Sequence, residues 1–135
     1  IINHILNRKI EYCNNNGLSI KCMVCGELKG VSDYDIHIIL ENLLDNAIEA
    51  ALKAVNKRIS VDIYSDEQAM VIKISNTTEE NVLKNNPEMN TTKKDNSYHG
   101  YGIKNVSELV KKNNGTIEYI QLGVDIVQCR VLLML

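Results

Sequence analysis

The sequence contains no apolar run approaching the roughly 18–20 residues that cross a bilayer, and no basic segment followed by an apolar stretch that reads as a secretion signal. Neither a membrane span nor a leader is expected within these residues. Charge of one sign is also lacking. Fifteen Lys and Arg against 17 Asp and Glu leave a net charge of −2, which gives no general attraction to nucleic acid or to an anionic membrane. Proline occurs once, at Pro87. Cysteine is sparse too: of Cys13, Cys22, Cys25 and Cys129, only Cys22-Met-Val-Cys25 is closely spaced. A zinc site takes about four ligands, and no second pair or nearby His pair completes one. The segment reads as strand, where residues three apart face opposite sides. Ordinary buried thiols in a reducing, cytoplasmic setting are expected.

What is present is the composition of one folded domain. The chain has 135 residues, 44% hydrophobic and 24% charged, enough for a single core and too apolar for disorder. It opens on Ile1-Ile-Asn-His-Ile-Leu6, which reads like the interior of a helix. The expectation is a domain whose parent continues upstream, with 1–16 the end of a helix leading in and any membrane anchor in the missing part.

Apolar positions 2, 5, 6 and 10 give the first helix its period, and Asn14-Asn-Asn-Gly17 stops it. Leu18 to Val24 reads as strand. Ser32 and Asp35 resemble a capping box ahead of a long helix with a broad apolar stripe from Ile36 to Val55. Ile59–Tyr64 and Met70–Ser75 alternate as a hairpin, Lys104–Lys112 reads as a third helix, and Thr116–Ile120 and Val124–Leu133 form a second hairpin across Leu122-Gly123. Residues 77–99 hold few apolar side chains. A structureless stretch of that length is usually a lid or an insert. The order predicts an α/β (α+β) two-layer sandwich, a mixed β-sheet with three helices on one face.

Two segments carry chemistry. Glu41-Asn-Leu-Leu-Asp-Asn-Ala-Ile-Glu-Ala50 puts Asn42, Asp45, Asn46 and Glu49 on one stripe of an otherwise Ile, Leu and Ala helix. Left unpaired in a core, such groups would cost about 1–3 kcal/mol each, so they must meet solvent, a partner or a ligand. Oxygen groups of this kind suit magnesium, which takes one or two protein ligands plus phosphates; a solvated helix face is the plain alternative. His99-Gly-Tyr-Gly-Ile-Lys-Asn-Val106 is a glycine turn running into a helix, where backbone N–H groups and the helix dipole suit phosphate. Lys93, Lys94 and His99 lie close by in sequence. Gly-x-Gly alone is also an ordinary loop-to-helix turn. Together the segments point to a magnesium–nucleotide complex.

Leu40 to Ala50 resembles the N-box of the GHKL ATPase superfamily, and His99 to Val106 resembles its second glycine box. With Thr91-Thr-Lys-Lys-Asp95, the set looks most like the quorum-sensing sensor kinases of the accessory-gene-regulator type. The resemblance covers nearly the whole chain. It implies a Bergerat-type fold with ATP between the N-box helix and a lid at 77–99, Asn46 as the magnesium ligand, and Asn42 and Asp45 beside it. It also implies Gly100 and Gly102 at the phosphates with His99, Tyr101 and Ile103 around them, and Thr92 and Lys93 in the lid segment near the nucleotide. Lys93 would act with Asn46 in the transfer. The implied partners are a dimerisation domain carrying the phosphoacceptor histidine and a response regulator. The fragment would be a monomer, its parent a membrane-anchored homodimer.

Two departures qualify the resemblance. The first glycine box, Asp-x-Gly-x-Gly, is replaced by Ile74-Ser-Asn-Thr-Thr-Glu-Glu80, so Ser75 or Asn76 would accept the adenine amino group, more weakly than a carboxylate. Asn42 stands where the hydrolases of the superfamily carry the Glu that activates water, while Glu41 lies about 100° round the helix. Phosphoryl transfer to a protein histidine therefore fits better than hydrolysis. A nucleotide-responsive binding module and an anti-sigma-factor-like serine kinase are the alternatives. His4 lacks an adjacent acid and is a poor phosphoacceptor; His37 reads as structural.

Overall fold

The computed structural model describes residues 2–27, 30–79 and 97–135, with side chains left aside at 97–104. The elements are α1 (Ile2–Asn15), β1 (Ser19–Cys25), α2 (Asp33–Leu52), β2 (Arg58–Ser65), β3 (Ala69–Thr77), α3 (Ser97–Lys112), β4 (Thr116–Gly123) and β5 (Ile126–Met134). The strands form one mixed sheet in the order β1-β2-β3-β5-β4. β1 and β2 are parallel, joined by a crossover that carries α2, and every other pair is antiparallel. A parallel pair needs such a crossover, whereas β2–β3 and β4–β5 close through short turns and β5 reaches β3 after α3 and β4.

Alternation assigns the faces. Ile59, Val61 and Ile63 of β2, Met70, Ile72 and Ile74 of β3, and Val127, Cys129, Val131 and Leu133 of β5 are buried. All but Val127 join one cluster with Ile5 and Leu6 of α1, Ile39, Leu40 and Leu44 of α2, and Val106 and Val110 of α3. The three helices thus cover one face of the sheet, the expected two-layer fold. The other face carries Lys21, Ser60, Asp62, Lys73, Ser75, Gln128 and Arg130, none of them buried.

Local signals explain the ends. Gly17 has φ 73°, and the Leu18 N–H reaches the Cys13 carbonyl at 2.9 Å, a Schellman-type stop. α3 ends the same way: Asn114 takes φ 54° and the Gly115 N–H donates to Val110 O at 2.9 Å. Ser32 caps α2, its Oγ accepting the Asp35 N–H at 3.1 Å. Gly26, at φ 90°, lies so close to β2 that an added Cβ would sit 2.1 Å from the Ser65 carbonyl oxygen, a contact open only to glycine.

Three boundaries differ from the sequence reading by three residues or more. α2 ends at Leu52, where Lys53 closes back on the Ala50 and Ala51 carbonyls, so Val55 is 96% exposed instead of joining the apolar stripe. β4 continues to Gly123 through a register shift between Gln121 and Gly123, which moves the turn to Val124-Asp125. α3 starts at Ser97, so the segment with Gly100 and Gly102 forms its first turns instead of a turn before it. Glycine costs about 1 kcal/mol in a helix, and adding turns to a helix already anchored by Val106 and Val110 needs no new nucleation. Most of the 77–99 lid segment lies outside the described residues; its first residue, Thr77, ends β3, and Ser97 to His99 begin α3.

Candidate nucleotide site

The polar stripe of α2 divides into two neighbouring rows. Glu41 and Asp45 face α1. Lys9 Nζ lies 2.8 Å from Glu41 Oε2 and 2.6 Å from Asp45 Oδ1, and Arg8 pairs with the other Glu41 oxygen. Partial burial pulls the Lys9 ammonium down, but the two carboxylates outweigh it and hold its pKa above the ordinary value. Burial pushes Glu41 up, while Lys9 and Arg8 more than offset this and hold it below the usual carboxylate range. Asp45, expected beside the nucleotide, is thus engaged by α1. A cleft of about 510 Å³ lies here, bounded by Arg8, Tyr12, Ile48 and Leu52 among others.

One residue further round the helix stand Asn42 and Asn46, both half-buried. Asn42 donates its Nδ2 to the Ile38 carbonyl at 2.8 Å, which leaves its Oδ1 to accept from elsewhere. Neutral amide oxygens suit a hard cation that keeps water and takes its remaining ligands from phosphate. The donor set therefore fits magnesium on Asn46. Among the described residues no group of three or more His, Cys, Asp or Glu forms a protein-only metal site. Burial pushes the Cys22 thiol up to about 11, which disfavours the thiolate a metal or redox role needs.

At the end of β3 the two candidate adenine acceptors separate. Asn76 pairs with Ile59 and Val127, both buried on the helix side. Its Nδ2 donates to the Thr77 carbonyl at 3.0 Å. Ser75 points to the helix-free face, where its Oγ accepts Gln128 Nε2 at 2.8 Å. Of the two, only Asn76 shares a sheet face with α2. Thr92 and Lys93 lie outside the described residues. His99, Gly100, Tyr101, Gly102 and Ile103 are placed by backbone alone, in the first turns of α3.

Reading the sequence missed a link between the two motif-bearing helices. Asp35, in the first turn of α2, is buried; its Oδ2 lies 3.2 Å from Lys112 Nζ and accepts Asn113 Nδ2 at 3.2 Å. Burial raises its carboxyl, but Asn113 and Lys112, together with Ser32, hold it below the ordinary range. Lys112 and Asn113 lie 77 and 78 residues away, so the only sequence signal was an acid in a first helical turn and a base in a last one.

No curated protein matches this chain in sequence. Solved structures share the fold. The catalytic domain of the histidine kinase ThkA is 17% identical, with a TM-score of 0.73 over 98% of this chain and 93% of that one. The mycobacterial sensor histidine kinase MprB is 15% identical, with a TM-score of 0.71 over 98% and 95%. The histidine kinase AdeS of Acinetobacter baumannii is 14% identical, with a TM-score of 0.66. Here 98% of this chain covers 64% of AdeS, so the chain spans less than two thirds of that protein. It spans 30% of full-length ShkA, solved in complex with AMPPNP, at a TM-score of 0.73, 15% identity and 98% coverage of this chain. The model of the GHKL domain matches residues 31–132, from the loop before α2 into β5, and the chain belongs to the GHKL family.

Proposed function

We propose that this chain is the ATP-binding catalytic domain of a two-component sensor histidine kinase of the accessory-gene-regulator type. It would use ATP with magnesium and donate the γ-phosphoryl group to a histidine on a dimerisation domain upstream, from which a response regulator receives it. The observation that carries the reading is the Asn42–Asn46 row, neutral acceptors on the helix of a GHKL domain, one residue round from the row that α1 engages. Bound magnesium would neutralise charge on the phosphates. Asn46 would hold it. Asn42 would orient the same group through its Oδ1, and the first N–H groups of α3, which lack intrahelical acceptors, would face the phosphates. Asn76 would accept the adenine amino group. Lys93 would meet charge developing on the transferred group. Glu41 is engaged by Arg8 and Lys9, and Asn42 stands one turn before Asn46, so neither position supplies a base to activate water. α1 would be the end of the linker helix. The fragment would be a monomeric cytoplasmic domain and the parent a membrane-anchored dimer.

Thermal unfolding with and without Mg–ATP, on wild type and Asn46→Ala, tests the site. At tenfold excess over the dissociation constant, ligand linkage adds about 1.4 kcal/mol, which moves the midpoint by about 4–6 °C for a domain of this size. Asn46→Ala should lose most of that shift. No shift at saturating nucleotide would sink the reading.

A nucleotide-responsive module without phosphotransfer is the second reading. The replacement of the acidic adenine-reading box by Ile74-Ser-Asn-Thr-Thr78 favours it. Incubating the parent protein with radiolabelled ATP decides, because only the kinase labels its histidine.

A further inference from the structure

The helix-free face of the sheet holds a second pocket, of about 250 Å³, bounded by Lys21, Arg58, Ser60, Ser75 and Thr77 among others. It adjoins the candidate nucleotide site: Ser75 and Asn76 are successive residues of β3 and face opposite sides, and both line the pocket. The strand registers build it. Lys21 pairs with Ser60 across β1 and β2, and Ser60 with Ser75 across β2 and β3. One row along the strands, Arg58 and Thr77 bond through the backbone and the Thr77 hydroxyl.

The charge of this pocket is one-sided. Among the described residues no Asp or Glu lines it, and neither Lys21 nor Arg58 has an ion-pair partner. Arg8, Lys9, Lys53 and Lys112, by contrast, all meet carboxylates. The hydroxyls are poised differently from one another. Thr77 is spent on the Arg58 backbone. Ser75 accepts from Gln128, and Gln128 in turn accepts Arg130 Nε at 2.5 Å, so the Ser75 O–H is left to donate. Two positive charges and two hydroxyl donors around a space too small for most organic ligands match a small doubly charged oxyanion.

We propose that this pocket binds a phosphate group, as free phosphate or as a small phosphate monoester, with Lys21 and Arg58 supplying the charge and Ser60 and Ser75 the hydroxyl donors. The site adjoins the proposed nucleotide site at Asn76, which also lines the pocket, and is independent of Asn46.

The test is an amide NMR titration of the whole chain with inorganic phosphate, with glycerol phosphate, and with acetate at matched ionic strength. Phosphate should give saturable shifts confined to residues 19–21, 58–60 and 75–77, with a dissociation constant of about 1 mM. Lys21→Ala/Arg58→Ala should abolish them, Ser60→Ala should weaken them severalfold, and Asn46→Ala should leave them unchanged. Tighter binding of glycerol phosphate identifies the ester as the source; tighter binding of inorganic phosphate identifies the free ion. Shifts that do not saturate, that acetate reproduces, or that survive in the double variant overturn the proposal. The same spectra report whether each variant is folded. Were the double variant unfolded, unchanged affinity in both single variants would overturn it equally.

Discussion

Asp35 is the most consequential single side chain outside the candidate site, because it joins the N-terminus of α2 to the C-terminus of α3. Replacing it with Asn keeps the shape and removes the charge. Two losses follow. Lys112 is 65% exposed, so its pairing is discounted for solvent and is worth about 0.2–1 kcal/mol. A carboxylate in the first turn of a helix adds about 0.3–1 kcal/mol through the dipole. Asn113 is not orphaned, since its Nδ2 also reaches the Leu109 carbonyl at 2.8 Å. Asp35→Asn should therefore destabilise by about 0.5–2 kcal/mol at neutral pH, or about 2–8 °C in midpoint. The sign of the pH effect follows from the lowered carboxyl. The stabilisation is fully present above the unfolded carboxyl value of about 3.9 and is lost as pH falls through the lower folded value. Chemical denaturation of both proteins from neutral pH downward should show a gap that closes on acidification. A gap absent at pH 7, or constant down to strongly acid pH, would refute the assignment.

Other perturbations probe the frame and the site. Gly26→Ala should destabilise by more than 2 kcal/mol, measured by urea unfolding, since it adds a methyl 2.1 Å from the Ser65 oxygen at φ 90°; a neutral effect would mean that the loop yields freely. Asn76→Asp should tighten nucleotide binding severalfold, about 1 kcal/mol, because a charged acceptor makes the stronger hydrogen bond. Calorimetric titration showing equal affinity would remove Asn76 from the adenine contact, while the same substitution at Ser75, on the far face, should have no such effect. Native-state labelling with iodoacetamide, followed by mass spectrometry, should modify Cys25 first. It is the exposed thiol, whereas Cys13 and Cys129 are buried and burial raises the Cys129 thiol to about 12. Faster labelling of Cys13 or Cys129 would contradict the packing of α1 or β5.

The layers were legible because each rests on a local period. Strict alternation in β2 and β3 announced which side chains face the helices, and the Asn-Asn-Asn-Gly17 run announced a helix end in left-handed geometry. Boundaries were less legible where a tertiary contact or a cooperative extension outweighs local preference. Val55 continued an apolar period that the backbone had already abandoned at Lys53, and two glycines did not keep α3 from starting at Ser97. The division of the polar stripe was invisible for another reason. One helical turn separates Glu41 from Asp45 and Asn42 from Asn46 alike, and only the position of α1, set by Ile5 and Leu6 in the core, decides which pair is spent on ion pairs.

That division bears on what α2 can do. Carboxylates near a nucleotide repel its phosphates, at about 4 kcal/mol for unit charges 4 Å apart in a surface environment. Here Glu41 and Asp45 are held by Lys9 and Arg8, Glu49, two turns on from Asn42, lies 3.9 Å from Lys53 Nζ, and Asn42 and Asn46 present amides. At the level of Asn42 and Asn46 the helix thus carries charge on the side that binds its own chain and neutral oxygen on the side proposed for ATP. Exchanging the two, by Asn42→Glu, would place an acid that no described cation engages at the position where GHKL hydrolases keep their base. If the proposed geometry is right, that variant should release inorganic phosphate from ATP faster than wild type while binding the nucleotide more weakly. A variant that bound ATP as well as wild type and hydrolysed it no faster would show that the Asn42 row does not face the phosphates.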